Sequence, residues 1–172
     1  MVYTFENIMI VIFAAGAVAT ALLMVTRRNP VNSALYLVAN FFCISVLYLF
    51  LRAQFIAIIQ VLVYAGAIMV LFLFVIMLLN LRDEAKLTEN ITYRKITALL
   101  VSILLFAVVS ITTYFAFRGK FKELNPASEQ IGTVESAGRT LYTTFSFPFE
   151  VVSFVLLAAI VGAIVLAKKK FD

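Results

Sequence analysis

Two polar stripes interrupt an otherwise apolar sequence of 172 residues, and any chemistry the chain performs must start from them. One reads Asn32, Tyr36, Asn40 and Cys43, at spacings of four, four and three. The other reads Ala57, Gln60, Tyr64 and Ala67, at three, four and three, a small and polar face of a helix. Neither stripe holds a carboxylate, lysine, arginine or histidine. A phenol titrates far above neutral pH and carries protons poorly there, yet its hydroxyl both donates and accepts hydrogen bonds. Tyr64 therefore reads as a gate, or as a support for a water chain, rather than as an acid or base. The same neutral groups also hydrogen-bond between helices, at about 0.6–2 kcal/mol per contact, and for the first stripe that structural reading stands beside the functional one.

An ionisable group deep in a membrane span is the usual mark of ion transport. No Asp, Glu, Lys, Arg or His lies in the middle of any long apolar run here, which disfavours a self-sufficient proton-coupled transporter. Glu150 stands at a membrane edge. It reads either as a partner of a helix dipole or as a secondary site candidate. With no histidine and one cysteine, Cys43, the sequence offers neither a protein-made metal or haem site nor an internal disulfide.

The elements that must position these residues are membrane helices. Hydrophobic residues make up 64% of the chain and charged residues 13%, with a mean hydropathy of +1.07. A soluble chain is about half apolar and about a quarter charged. Five uncharged stretches approach or exceed the length of about 20 residues that spans a hydrocarbon core, placing helices over 7–26, 30–51, 54–81, 96–117 and 148–167 of a single membrane domain. The stretches are continuously apolar rather than alternating, which predicts helices and not a barrel. Glu6 precedes the first stretch, and Arg27 and Arg28 follow it, so it reads as a retained span rather than a signal peptide.

Basic residues flanking the spans set the expected orientation. With the N-terminus outside and the C-terminus inside, nine basic residues fall inside and five outside (Arg52, Arg118, Lys120, Lys122 and Arg139). The net charge of +5 therefore belongs to membrane topology and does not predict a nucleic-acid partner. RRNPVNS supplies a start signal for the second helix, with Asn29 able to cap and Pro30 at the first helical position. The inner loop, RDEAKLTENITYRK, carries both charge signs and should be solvated. In the outer loop, 118–147, Ile131, Val134, Gly138, Leu141 and Phe145 recur at three and four residues. That fits a short amphipathic helix at the interface, with an irregular loop as the alternative. Pro148 is expected to start the fifth helix, with Glu150 in its first turn. Small residues at four-residue spacing (Ala15/Ala19, Ala17/Ala21, Ala158/Gly162 and Ala159/Ala163) mark helices one and five as close-packing, within the chain or against a larger bundle.

The third helix is too long for a simple span. Between Arg52 and Arg82 lie 29 uncharged residues, about 43 Å of ideal helix, so it must tilt, bend or contain an irregular turn. Gly66 between Ala65 and Ala67 removes the side-chain bulk that would hold the backbone straight. Tilt and π-bulge both fit these residues.

AQFIAIIQVLVYAGAIMVLFLFVIMLLNL resembles helix three of the chain J family of respiratory NADH:quinone oxidoreductase, complex I, the bacterial counterpart of mitochondrial subunit six. GRTLYTTFSFPFEVVSFVLLAAIVGAIVLAKKK is similar to that family's interfacial segment and fifth helix, and RRNPVNSALYLV to the start of its second. The resemblance implies a membrane subunit without cofactors of its own, in the bacterial plasma membrane. It would lie between the quinone-site chains and the antiporter-like proton pumps, with FMN, iron–sulfur clusters and quinone in partner subunits. It also implies a π-bulge near Tyr64 that switches between π and α forms and makes or breaks a hydrated path. The gating positions would be Gln60, Tyr64, Ala65, Gly66, Ala67 and the turn through Phe72, with Tyr36, Asn40 and Glu150 secondary. Many family members carry glutamate where this chain has Gln60, so any acidic role at that position would fall to a partner chain. A related membrane subunit of a multi-chain cation/proton antiporter is the alternative function. A stand-alone transporter or purely structural bundle is a third.

Overall fold

The start signal of helix two works as its residues predict. In a computed structural model that describes residues 2–79, 92–118 and 131–168, Asn29 Oδ1 accepts from the amides of Val31 (2.9 Å) and Asn32 (3.4 Å). Pro30, which has no amide hydrogen to leave unpaired, is the first helical residue. Helix α1 (Val2–Thr26) precedes this cap, and α2 (Pro30–Phe50) follows it. The third span divides into α3 (Gln54–Ile59), a π-helical segment (Gln60–Ile68) and α4 (Met69–Leu79). After it come α5 (Thr92–Arg118), the short α6 (Val134–Thr143) and α7 (Ser146–Ala167).

Every regular element among the described residues is helical. Five stretches of the described residues are long and apolar enough to cross a bilayer: Phe5–Thr26, Pro30–Phe50, Gln54–Leu79, Thr97–Phe115 and Ser146–Ala167. The all-α fold expected from composition is the fold observed. Residues 82–91 of the charged loop and 119–130 of the outer segment lie outside the described residues. Thr92 to Lys95, read as loop, already belong to α5. Helix α7 begins at Ser146, so Pro148 falls inside the first turn, where a missing amide hydrogen breaks no intrahelical bond.

Helix α2 is the hub. Along one side it carries α1, and along another the whole third span. The approach to α1 is close at Gly16, where a Cβ would stand 3.3 Å from Cys43 Sγ, tighter than ordinary contact. On the opposite side Ala34, Met69 and Ile76 form the buried core, with Val31, Leu37, Val38, Phe41 and Leu73 packed around them. Among the described residues neither α5 nor α7 buries any of its spanning window, and a Cβ on Gly162 would meet open space. Among the described residues the small-residue face of α7 stays open, with Ala158, Ala159 and Ala163 exposed, whereas α1 uses Gly16, Ala17 and Thr20 and leaves Ala15 and Ala19 exposed.

The turn from α2 to α3 is tight. Arg52 takes the left-handed conformation (φ 61°), and the Ala53 amide donates back to the Tyr48 carbonyl at 2.9 Å. The turn preceding α6 closes over this corner. The Phe55 amide, one of the first-turn donors that a helix leaves unpaired, donates to the Gly132 carbonyl at 3.2 Å. A Cβ on Gly132 would overlap the Arg52 carbonyl, so only glycine permits the approach. Thr133 Oγ1 then caps α6 by accepting from the Ser136 amide at 3.2 Å, making a helix of the outer segment's second half. We expect Gly132→Val to reduce severalfold the yield of folded protein extracted from membranes, measured by size-exclusion chromatography. Gly138→Ala, where a Cβ meets nothing within 4 Å, should leave the yield unchanged.

Candidate functional site

Helix spacing fails in one place along the third span, and there the polar residues gather. The residues it buries are Ala57, Gln60, Ala65, Met69 and Ile76, with exposures of 2, 9, 5, 3 and 9%. An α-helix returns to one face after three or four residues. Between Gln60 and Ala65 the return takes five. The backbone shows the cause, because the Met69 amide donates to the Tyr64 carbonyl, five residues back, as well as to Gly66. The face read at α-helical spacing as Ala57, Gln60, Tyr64 and Ala67 is instead Ala57, Gln60, Ala65 and Met69.

This shift turns Tyr64 outward. Regular spacing from Gln60 would bury it on α2, but it is 46% exposed, keeping an edge contact with Phe41 at 5.8 Å between ring centroids and 71° between planes. Ala67 is exposed beside it. The local sequence permits the irregularity. Val61 and Val63 are β-branched and weak α-helix formers, and glycine is weaker still. At Gly66 a Cβ would lie 3.2 Å from the Val61 carbonyl oxygen, tighter than ordinary contact. Glycine relieves that crowding against the carbonyl five residues back.

The stripe on α2 serves a different contact. Asn40 is buried and donates through Nδ2 to the Ala17 carbonyl at 2.6 Å and to Thr20 Oγ1 at 3.2 Å, tying α2 to α1. Thr20 in turn donates to the Gly16 carbonyl at 2.8 Å. Tyr36 lies under the Arg27 guanidinium, 5.5 Å from Cζ to the ring centroid. Asn32 is exposed. Glu150 is exposed and falls beyond the first turn of α7, which holds no acidic residue. The dipole pairing expected there is therefore not made, because that effect fades within one turn. Helix α7 packs against α6, where Tyr142 meets the edge of Phe149 at 4.9 Å.

Gln60, Tyr64, Ala65, Gly66 and Ala67 are thus brought together in nine residues of π-helix, with the half-exposed Phe72 one turn on in α4. Tyr36, Asn40 and Glu150 stand apart from them. What this group offers chemically is a π-helical backbone, a phenol hydroxyl and a buried amide. Sequence reasoning passed over Ser45, which is buried on α2 and donates to the Ala57 carbonyl at 2.9 Å. Its signal was a second face of helix two, Ala34, Phe41 and Ser45, at spacings of seven and four.

Comparison with known proteins points one way. A family described as NADH-ubiquinone/plastoquinone oxidoreductase chain 6 matches residues 20–166. The chain is 39% identical over 172 residues to NAD(P)H-quinone oxidoreductase chain 6 of Leptolyngbya boryana, covering 96% of this chain and 83% of that one. It is 37% identical over 164 residues to the protein of that name in a Synechocystis species, covering 95 and 81%. To the chloroplastic subunit 6 of Physcomitrium patens it is 37% identical over 174 residues, covering 96 and 85%.

Replacing Asn40 by Val should lower stability by about 0.6–2 kcal/mol, the range for one hydrogen bond between membrane helices. A thermal melt of the purified protein in detergent measures it, and an unchanged midpoint would remove Asn40 from the α1–α2 contact.

Proposed function

The chain belongs to the NADH-ubiquinone/plastoquinone oxidoreductase chain 6 family, and on that footing we propose that its third span couples quinone reduction to proton translocation. It is a non-catalytic, membrane-arm subunit of NADH-quinone oxidoreductase, complex I. The observation that carries the proposal is the five-residue return from Gln60 to Ala65 inside a membrane span. A helix that holds a π segment can reform as an α-helix by moving each amide's acceptor forward one residue, from five back to four back. The step turns one side of the break by about 100° and shifts it by about 1.5 Å relative to the other.

Such a segment is a two-state element. In the π register, Tyr64 is outward and Ala65 fills the contact with α2. In the α register, the face read from spacing, with Tyr64 turned toward α2, would form instead. Exchange of a phenol hydroxyl for a methyl group along one side of the span changes what water can be held there. That is how the chain opens and closes a hydrated path without an acid in the middle of a span. Gly66 keeps both registers accessible, and Phe72 is displaced with the turn.

The remaining assignments follow from the same reading. FMN, iron–sulfur clusters and quinone reside in partner subunits, and the proton-carrying carboxylates lie in neighbouring membrane chains. The uncovered faces of α5 and α7, including the small residues around Gly162, suit contact with the quinone-site and antiporter-like chains. Flanking basic residues support an outside N-terminus and an inside C-terminus, and the likeness to chain J supports a bacterial plasma membrane.

Tyr64→Phe and Gly66→Leu should each lower protons pumped per NADH severalfold in the intact complex. NADH oxidation by an artificial acceptor at the peripheral arm should stay unchanged. Normal assembly with full pumping stoichiometry in both variants would overturn the gating role.

A further inference from the structure

The turn between α2 and α3 holds a residue poorly suited to its backbone. Arg52 is left-handed (φ 61°), a conformation that costs a residue with a Cβ more than it costs glycine. The turn's own bonds need nothing from that side chain. The Leu51, Arg52 and Ala53 amides donate to the Leu47, Leu49 and Tyr48 carbonyls at 3.0, 3.0 and 2.9 Å, and glycine at 52 would keep all three. Nor does the Arg52 guanidinium bond to any other described residue, Glu135 in the first turn of the adjoining α6 included. Arg27, at the opposite end of α2, differs: it stacks on Tyr36 and reaches its hydroxyl at 3.5 Å. A side chain kept at a conformational cost, with no bond to the residues around it, points outward to a ligand.

We propose that Arg52 binds the phosphate of a membrane phospholipid. Its surroundings decide the class of ligand. Leu49 and Leu51 before it, Ile56 after it and Ile131 beside Gly132 are all exposed, and Gly132 itself sits against the Arg52 carbonyl. Large aliphatic side chains around an arginine at the end of a span seat among acyl chains, while the charged head reaches to the headgroups. Helix α6, which packs on α3 at this corner, exposes Tyr142, and tyrosine is enriched at that depth. A guanidinium stays charged at every working pH, and its planar, paired donors match two oxygens of one phosphate. The site is independent of the coupling role of the π segment.

The left-handed turn and the phosphate bond oppose each other, which makes the site measurable. Without the ligand, Arg52 only destabilises its turn; with it, the bond offsets that cost. Replacement by glycine or by asparagine, both of which enter the left-handed region readily, removes cost and bond together. Basic residues elsewhere in the chain meet the same lipid equally in every variant, so the difference between variants reads position 52 alone.

Thermal melts of the purified full-length chain test this, with Arg52→Gly and Arg52→Asn beside the unsubstituted chain. Each is melted in detergent alone, with phosphatidylglycerol, with a phosphate-free galactolipid and with inorganic phosphate. In detergent alone Arg52→Gly should raise the midpoint by about 2–4 °C, with Arg52→Asn moving the same way. Phosphatidylglycerol should abolish that advantage, and its apparent affinity should be about tenfold weaker in both variants, as loss of a hydrogen bond to a charged group gives. The galactolipid and inorganic phosphate should leave the advantage intact. If inorganic phosphate abolishes it as fully as the lipid does, the site belongs to the free ion and the lipid assignment is overturned. Loss of the advantage with the galactolipid would overturn the need for phosphate. An advantage that survives phosphatidylglycerol but disappears in the intact complex would replace the lipid by an acidic side chain of a partner subunit. No gain from either substitution in detergent alone would show that the chain already compensates Arg52, and would overturn the proposal at its root.

Discussion

A backbone inside hydrocarbon has no water to bond with, so each amide and carbonyl must find its partner in the protein. That constraint governs the third span. A run of 29 uncharged residues is longer than a bilayer core requires, and within it the helix widens over Gln60–Ile68 with the Met69 amide still paired. The π register keeps backbone bonds formed while changing which residues face α2. An irregularity that broke those bonds would not survive in lipid. One that merely reassigns them can be both stable and reversible.

Helix α2 makes the irregularity useful by presenting different chemistry on different sides. Toward α1 it offers Asn40, whose amide bonds the Ala17 carbonyl and Thr20, and Cys43 beside Gly16. Toward the third span it offers Ser45 at one end and an apolar surface at the other. The first side makes a firm two-helix frame. The second holds the third span by a hydrogen bond at one end and by apolar contact at the other. The outer segment completes the frame, because its Gly132 carbonyl satisfies an amide at the start of α3.

Much of this was legible in the sequence, for reasons that differ by element. Span number came from uncharged run length, and the start of α2 from Asn29 and Pro30, whose capping chemistry is local. The start of α7 was less legible. Pro148 marks a first helical turn but not which residue of it, and the two-residue difference moved Glu150 out of reach of the helix end. In the third span, length required a departure from a straight helix, yet tilt and bulge remained equal until the resemblance favoured a bulge. Reading its face at α-helical spacing then placed Tyr64 and Ala67 where Ala65 and Met69 lie, since a periodicity argument assumes the very register that changes there. Ser45 escaped notice because it sits on the opposite side of α2 from the more conspicuous asparagine and tyrosine stripe.

The central claim is that residues 60–68 exchange π for α hydrogen bonding as the enzyme works. High-resolution electron cryomicroscopy of the intact complex, frozen at rest and during turnover, measures it directly. The account predicts two populations. In one the Met69 amide bonds the Tyr64 carbonyl with Ala65 against α2, and in the other it bonds Ala65 with Tyr64 turned toward α2. A single π register with an outward Tyr64 under every condition would contradict it.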